Sequence, residues 1–290
     1  MTLHECVAHA GATLFKSGLP SEDARRDAVL LARFVLGWSL AEWLARAWES
    51  APAGFDRKLA ALIARRARHE PMAYLTGTRE FYGRDFRVTP ATLIPRPETE
   101  GLVEAAIEIA GSLGSLGSAG PLIIDVGTGS GCIAITLALE VPGARVIATD
   151  VSAEALDAAR ANATALGAGN VRFHQVSNAA FFPPALPHAQ LIVSNPPYVA
   201  ERDRASLTAD VNDFEPASAL FAGDDGLDVI RALVPAATQA LAEDGALVME
   251  IGAGQADAVS AIVTRAGLRL DSIRPDLHGI PRVVVAHRRA

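Results

Sequence analysis

The chain has 290 residues, half of them hydrophobic, a formal net charge of -7 and two cysteines. That length leaves room for two domains and a sizeable core, while the acidic balance argues against a protein whose main task is gripping a phosphate backbone. No apolar run approaches the roughly 20 residues that span a bilayer, the amino-terminal stretch has no basic segment leading into a continuous apolar one, and Cys6 and Cys132 match no metal or redox spacing; the expected protein is cytoplasmic, with reduced thiols and no metal.

Residues 2–69 carry helical periodicity without strand signals. Ala24, Ala28, Leu31 and Val35 fall on one face, and Ser21-Glu22-Asp23 suits a helix start. Trp38, Trp43 and Trp48 sit at helical spacings and are expected in the core. Arg65, Arg66 and Arg68 read as a solvated helix face. Residues 1–73 are therefore expected to form a small helical bundle, and 74–95, with FYGRDFRV punctuated by Gly77, Gly83 and Pro90, a hairpin-like linker. From 96 onward a helix beginning near Pro97-Glu98 leads into GSLGSLGSAG (111–120), compositionally a flexible loop.

After it, strand and helix patterns alternate. LIIDV (122–126), RVIATD (145–150), VRFHQV (171–176), LIVSN (191–195), ALVMEI (246–251), LRLDSI (268–273) and RVVVAH (282–287) are near-continuous β-branched runs separated by helical segments. Such runs indicate a parallel sheet covered on both faces. The class is α/β, doubly wound and Rossmann-like, with seven strands.

In IIDVGTGSGCIAITLALE (123–140) a strand, a tight glycine turn and a helix follow one another. Gly127, Gly129 and Gly131 let backbone approach a ligand, and the helix start beyond them offers free N–H groups. Cys132 stands where a dinucleotide fingerprint wants its third glycine, which weakens a nicotinamide reading. Asp150 ends the second strand, where a carboxylate accepts ribose hydroxyls; the competing role is a helix cap, which Ser152 can fill. With Asp125 just before the turn, the pattern points to S-adenosylmethionine.

The fourth run stops on Asn195-Pro196-Pro197-Tyr198. Prolines cannot continue a ladder, so something other than sheet pairing requires this geometry. In an open α/β sheet the carboxyl ends of the strands deliver residues to one crevice. There the Asn195 side-chain oxygen and the Pro196 carbonyl can accept both N–H groups of a planar NH2, with Tyr198 stacked on its face. Two fixed acceptors would hold that poorly nucleophilic nitrogen in line with a methyl donor.

These motifs resemble the protein-(glutamine-N5) methyltransferases that modify peptide-chain release factors, the PrmC/HemK family. The resemblance extends through EPMAYLTGTREFYG (70–83), TLIPRPETE (92–100), DFEPASALFAGDDGLD (213–228), MEIGAGQ (249–255) and GIPRVVV (279–285). It implies that Gly127, Thr128, Gly129, Ser130, Gly131 and Asp150 hold S-adenosylmethionine, with Asn195 beside it. It further implies that Asn195, Pro196, Pro197 and Tyr198 hold the glutamine of a Gly-Gly-Gln loop, and that the helical domain docks the release factor. Arg96, Glu98 and Glu215 match family motifs near the site. The family's adenine-contacting acid and aromatic correspond here to VSNAAFF, so Asn178 stands for the acid and Phe181 is the expected stacking residue. The acidic stretch 201–215 lacks the central glycine of a calcium loop and reads as a mobile lid. The expected state is a monomer without membrane or direct nucleic-acid partners. An adenine-N6 nucleic-acid methyltransferase shares the Asn-Pro-Pro-Tyr chemistry and is the alternative; a non-catalytic binding module on the same fold is the third reading.

Overall fold

The computed structural model describes residues 1–113, 120–177 and 180–289. The glycine-serine loop therefore lies largely outside the described residues. The chain divides into two compact units, Met1–Thr78 with Thr208–Phe214, and Arg79–Leu207 with Glu215–Ala290.

The first unit contains α1 (Leu3–Lys16), α2 (Ser21–Leu36), α3 (Leu40–Arg46), α4 (Phe55–Arg66) and α5 (Met72–Thr76). Thr2 and Glu5 form a capping box at the start of α1, Ser39 and Glu42 another at α3, so the donors left over at each helix start are satisfied locally. Leu3, Leu14, Ala24, Ala28, Leu31, Trp43, Phe55, Leu59 and Ile63 build its core. Two expectations fail here. Trp48 is 69% exposed and stacks on His4 with ring centroids 4.2 Å apart; it follows α3, where helical spacing no longer dictates its direction. Arg66 is not a solvated residue: its Nε meets the buried Asp27 carboxylate at 2.7 Å. A buried acid on α2 needs a partner, and a helical wheel of α4 alone cannot reveal it.

The second unit opens with the hairpin of β1 (Thr78–Phe81, its first residue still in the first unit) and β2 (Arg84–Arg87). It is shorter than the stretch 74–95 read as hairpin-like: Tyr74 ends up in α5, and Phe81 and Phe86 are fully buried in the unit's core. A 3-10 turn at Pro97–Thr99 runs into α6 (Glu100–Leu113). Then follow β3 (Leu122–Val126), α7 (Cys132–Glu140), β4 (Arg145–Asp150), α8 (Ala153–Leu166), β5 (Val171–Gln175) and β6 (Ala189–Ser194). Next come α9 (Ala209–Phe214, part of the first unit), α10 (Ala217–Leu220), α11 (Asp228–Ala240), β7 (Leu241–Glu250), α12 (Ala256–Arg265), β8 (Leu268–Pro275) and β9 (Pro281–Arg288).

The seven strands from β3 to β9 form one sheet in the order β5-β4-β3-β6-β7-β9-β8. Alternate residues serve opposite cores. Ile123, Val146, Leu191, Val193 and Val248 join one cluster, and Ile124, Ile147, Ile192, Leu247 and Met249 the other, so strands covered on both faces read as unbroken apolar runs. The expected parallel sheet has one exception at its end, where β9 runs antiparallel to both β7 and β8. Only five residues join β8 to β9, and the Asp276 carboxylate accepts from the backbone N–H groups of His278 and Ile280 at 2.9 and 3.0 Å to make a tight turn. A parallel crossover needs a dozen residues or more.

Among the described residues no single helix is long and apolar enough to cross a membrane.

Candidate active site

The sheet reverses its winding between β3 and β6, the place where open α/β sheets take ligands. A cavity of about 480 Å³ lies there, entirely within the second unit. Its walls come from the turn after β3, the ends of β4 and β6, and the starts of α10 and α11.

The turn's shape follows from its glycines. Gly127 and Gly129 have φ of +76° and +55°, and a Cβ on either would meet no atom within 4 Å. Both line the cavity with Thr128 and Ser130, so bare backbone faces open space that a side chain would enter. Gly131 differs. It does not line the cavity; at φ +82° a Cβ there would come within 2.8 Å of Ile135 Cδ1 and 3.1 Å of Ala159 Cβ. Its absence of a side chain serves the packing of α7 against α8.

Asp150 holds this turn from the side. One carboxylate oxygen accepts from Gly129 N–H at 2.8 Å, the other from Ser152 N–H at 2.9 Å. Each oxygen retains a further lone pair, and the residue lines the cavity. The helix cap proper is Ser152, whose hydroxyl accepts from Ala155 N–H at 3.1 Å. Phe181 also lines the cavity, and its carbonyl accepts from Thr149 Oγ1 at 3.1 Å. Asn178 lies outside the described residues.

Beneath the turn Asp125 is fully buried, with Oδ2 accepting from Thr128 Oγ1 at 2.7 Å. Burial pushes its carboxyl up to about 7, against the pull of the Thr128 hydroxyl. A carboxyl that keeps its proton longer in the folded than in the unfolded chain stabilises most below about pH 4. That stability is lost as the pH rises through about 7. Replacing Asp125 with Asn is expected to flatten the decline, which amounts to on the order of a few kcal/mol; denaturant titrations of both proteins from pH 4 to 8 check this, and parallel curves would contradict it.

Asn195 is the first residue beyond β6, whose last residue, Ser194, is fixed by a hydrogen bond from its hydroxyl to the Val126 carbonyl at 2.8 Å. Asn195, Pro196 and Pro197 all line the cavity with the glycine turn. Tyr198 does not. Its ring packs against the core on the α11 and α12 side, and its hydroxyl donates to Glu250 Oε1 at 3.0 Å. Burial and the adjoining Glu250 carboxylate push the phenol well above its ordinary range.

Three residues that motif reading did not assign complete this corner. Thr99, on the cavity wall, accepts from Asn195 Nδ2 at 3.1 Å and donates to Glu250 Oε2 at 2.7 Å. Gln255 donates to the Tyr198 carbonyl at 3.0 Å. All three fall inside TLIPRPETE or MEIGAGQ, yet only the juxtaposition of β6 with β7 reveals what they touch. Of the acids and bases noted with those motifs, Arg96 lines the cavity and pairs with the buried Glu215 at 2.5 Å, while Glu215 also accepts from Ile94 N–H at 3.0 Å. Glu98 is not on the cavity wall. Cys132 is, but burial pushes its thiol up to about 12, which rules out a thiolate nucleophile at neutral pH.

A bare-backbone cradle, a carboxylate with spare acceptor capacity at the second strand and an apolar-walled cleft fit S-adenosylmethionine. The fold has solved counterparts: a methyltransferase from Pyrococcus furiosus (TM-score 0.55, 16% identity, covering 78% of this chain and 99% of that one) and the catalytic domain of hMettl16 in complex with a MAT2A 3'UTR hairpin (TM-score 0.57, 17% identity, 78% and 81%). Fold and site define an S-adenosylmethionine-dependent methyltransferase. Residues 5–77 match the family model described as the PrmC N-terminal domain, and residues 115–213 the methyltransferase small domain. Proteins named release factor glutamine methyltransferase are similar along nearly the whole chain: that of Koribacter versatilis is 42% identical with 99% of both chains covered, and that of Burkholderia pseudomallei 43% identical with 95% and 94% covered. The chain belongs to the release factor glutamine methyltransferase family.

Proposed function

We propose that the protein transfers a methyl group from S-adenosylmethionine to the side-chain nitrogen N5 of the glutamine in the Gly-Gly-Gln loop of a peptide-chain release factor, and so acts on translation termination. One observation carries the reading: Asn195 and the diproline share a single cavity with the glycine turn and Asp150, in a chain 42% identical to a release factor glutamine methyltransferase over 99% of its length.

In this reading Gly127, Thr128, Gly129 and Ser130 receive the cofactor along their backbone, Asp150 accepts from its ribose, Phe181 packs on its base and Asn195 borders it. The bound cofactor supplies an electrophilic methyl group. The Asn195 side-chain oxygen and the Pro196 carbonyl accept the two N–H groups of the glutamine amide, which aligns its nitrogen and favours pyramidalisation as the new bond forms. Pro197 keeps the Pro196 carbonyl fixed because its ring restricts the preceding residue. Tyr198 forms the backing of this loop, a role its burial supports better than an open stacking face. The methylated nitrogen sheds its proton to water; Glu250, fully buried with a donor on each oxygen, does not act as the base.

The helical residues 1–73 would dock the release factor, and Phe15, Phe34, Leu40, Leu44 and Trp48 are large apolar side chains exposed on that unit. The acting form in this reading is a cytoplasmic monomer that reaches its substrate without holding nucleic acid, as a net charge of -7 suits.

The test supplies the purified protein with methyl-labelled S-adenosylmethionine and, separately, release factor and duplex DNA. Label on the Gly-Gly-Gln peptide is the expected result; label on DNA would favour the adenine chemistry, and label on neither would defeat the proposal. Asp150→Ala is expected to raise the cofactor Kd about 10- to 100-fold, because charge-assisted hydrogen bonds to both turn and ribose are lost, with titration calorimetry as the check and an unchanged Kd as the contrary outcome.

A further inference from the structure

We infer that Glu250, acting through Thr99, is a positioning residue that decides which end of the Asn195 carboxamide faces the substrate. The inference deepens the proposed function and rests on it for the identity of the substrate as an amide NH2.

A carboxamide has two nearly isosteric ends, one a pure acceptor and the other a pure donor. For the proposed chemistry the oxygen must face the substrate nitrogen. Turned the other way, an NH2 would meet an NH2, two donors in opposition. Packing cannot distinguish the two orientations, because oxygen and NH2 occupy almost the same volume. A directional hydrogen bond can.

Glu250 supplies the direction. It is 1% exposed at the end of β7, with Thr99 Oγ1 2.7 Å from Oε2 and Tyr198 Oη 3.0 Å from Oε1. Burial pushes the Glu250 carboxyl above the usual carboxylate range, against the pull of the Thr99 and Tyr198 hydroxyls and of Arg282; in its ionised form, with both hydroxyls donating to it, it is acceptor only, so the single hydroxyl proton of Thr99 is committed to it. Towards Asn195, at 3.1 Å, Thr99 therefore offers only a lone pair. Nδ2 is the one end of Asn195 that can meet a lone pair, so Oδ1 is turned away from Thr99. Reversal would set the Asn195 oxygen against the Thr99 oxygen with no proton between them.

The same carboxylate anchors both ends of the Asn-Pro-Pro-Tyr loop, Asn195 by way of Thr99 and Tyr198 directly. The register of β6 on β7, with Ser194 opposite Met249, brings the start of that loop alongside Glu250. Every link is buried or partly buried, so water does not compete freely for these bonds.

Thr99→Val removes the hydroxyl while keeping the shape, and Thr99→Ser restores it. Thr99→Val is expected to lower kcat for release-factor methylation about 10- to 100-fold, with the KM for release factor and the cofactor Kd each moving less than about threefold; Thr99→Ser should recover most of the turnover. Glu250→Gln, which leaves one acceptor oxygen for the two hydroxyls and so no longer commits the Thr99 proton, should also lower kcat, and the double variant Thr99→Val/Glu250→Gln no further than the worse single, since both act along one path. Independently of activity, the Asn195 side-chain NH2 resonances, assigned by their loss in Asn195→Ala, should shift in Thr99→Val and return in Thr99→Ser. Wild-type turnover in Thr99→Val, equal impairment in Val and Ser variants, or additive losses in the double variant would each overturn the inference while leaving the functional proposal standing. An inactive wild type would overturn both.

Discussion

Asn195→Ala is expected to reduce kcat by about 10²- to 10³-fold, a loss of roughly 2.7–4 kcal/mol of transition-state stabilisation. The magnitude follows from what the side chain is asked to do. An amide nitrogen is nearly inert because its lone pair is shared with the carbonyl, and it becomes nucleophilic only as that sharing is broken. An oxygen fixed against one N–H gains strength as positive charge builds on the nitrogen, so its contribution is larger in the transition state than in the bound ground state. The release-factor KM should consequently move far less than kcat. The cofactor Kd should change only a few-fold, because Asn195 is one wall among several in the cavity. Single-turnover rates with saturating cofactor separate the two effects, and a variant that turned over within about threefold of wild type would remove Asn195 from the mechanism.

Gly226→Ala should combine the largest loss of stability with a loss of turnover. Gly226 has φ +76°, and a Cβ there would lie 2.2 Å from the Tyr198 carbonyl oxygen, 3.0 Å from Ala200 N and 3.0 Å from Gln255 Nε2. The carbonyl is backbone and cannot step aside without carrying the Asn-Pro-Pro-Tyr loop with it. Left-handed strain of about 1–2 kcal/mol adds to overpacking of about 1–3 kcal/mol, for a total of roughly 2–5 kcal/mol. Gly254 provides the control, because it has φ +80° but open space where a Cβ would go; Gly254→Ala should show the strain alone. Denaturant midpoints for the two variants, read beside their kcat values, test the separation. Equal destabilisation, or full activity in Gly226→Ala, would show that the loop tolerates displacement.

The two residues illustrate how far the chain could be read without coordinates. β3 and β4 have the bounds expected of LIIDV and RVIATD, because each is an apolar run closed by a turn, and both signals are local. The glycine turn after β3, Asp150 at the end of β4 and the diproline beyond β6 stand where the same local signals put them. Spacing groups Gly131 with the cofactor cradle; that a side chain there would also meet Ile135 and Ala159 is set by tertiary packing and has no local signal. Thr99 and Glu250 were beyond reach, since 151 residues separate them and nothing in either local pattern names the other. Arg66 and Asp27 are a second instance, joined over 39 positions. β9 was expected to run parallel because strand patterns carry no direction; the brevity of its connection to β8 was the available signal.

The position of β9 also bears on how the protein comes off the ribosome. β9 is the last strand in sequence, yet it sits between β7 and β8, so β7 has one bare edge until residues 281–288 have been synthesised. Ala246 to Glu250, which later pair with β9, would present unsatisfied amides and carbonyls throughout that interval, and open edges of this kind recruit other strands. Closure of the sheet thus waits on residues 281–288, and Glu250, at the end of that edge, reaches its final setting only when the closing strand arrives.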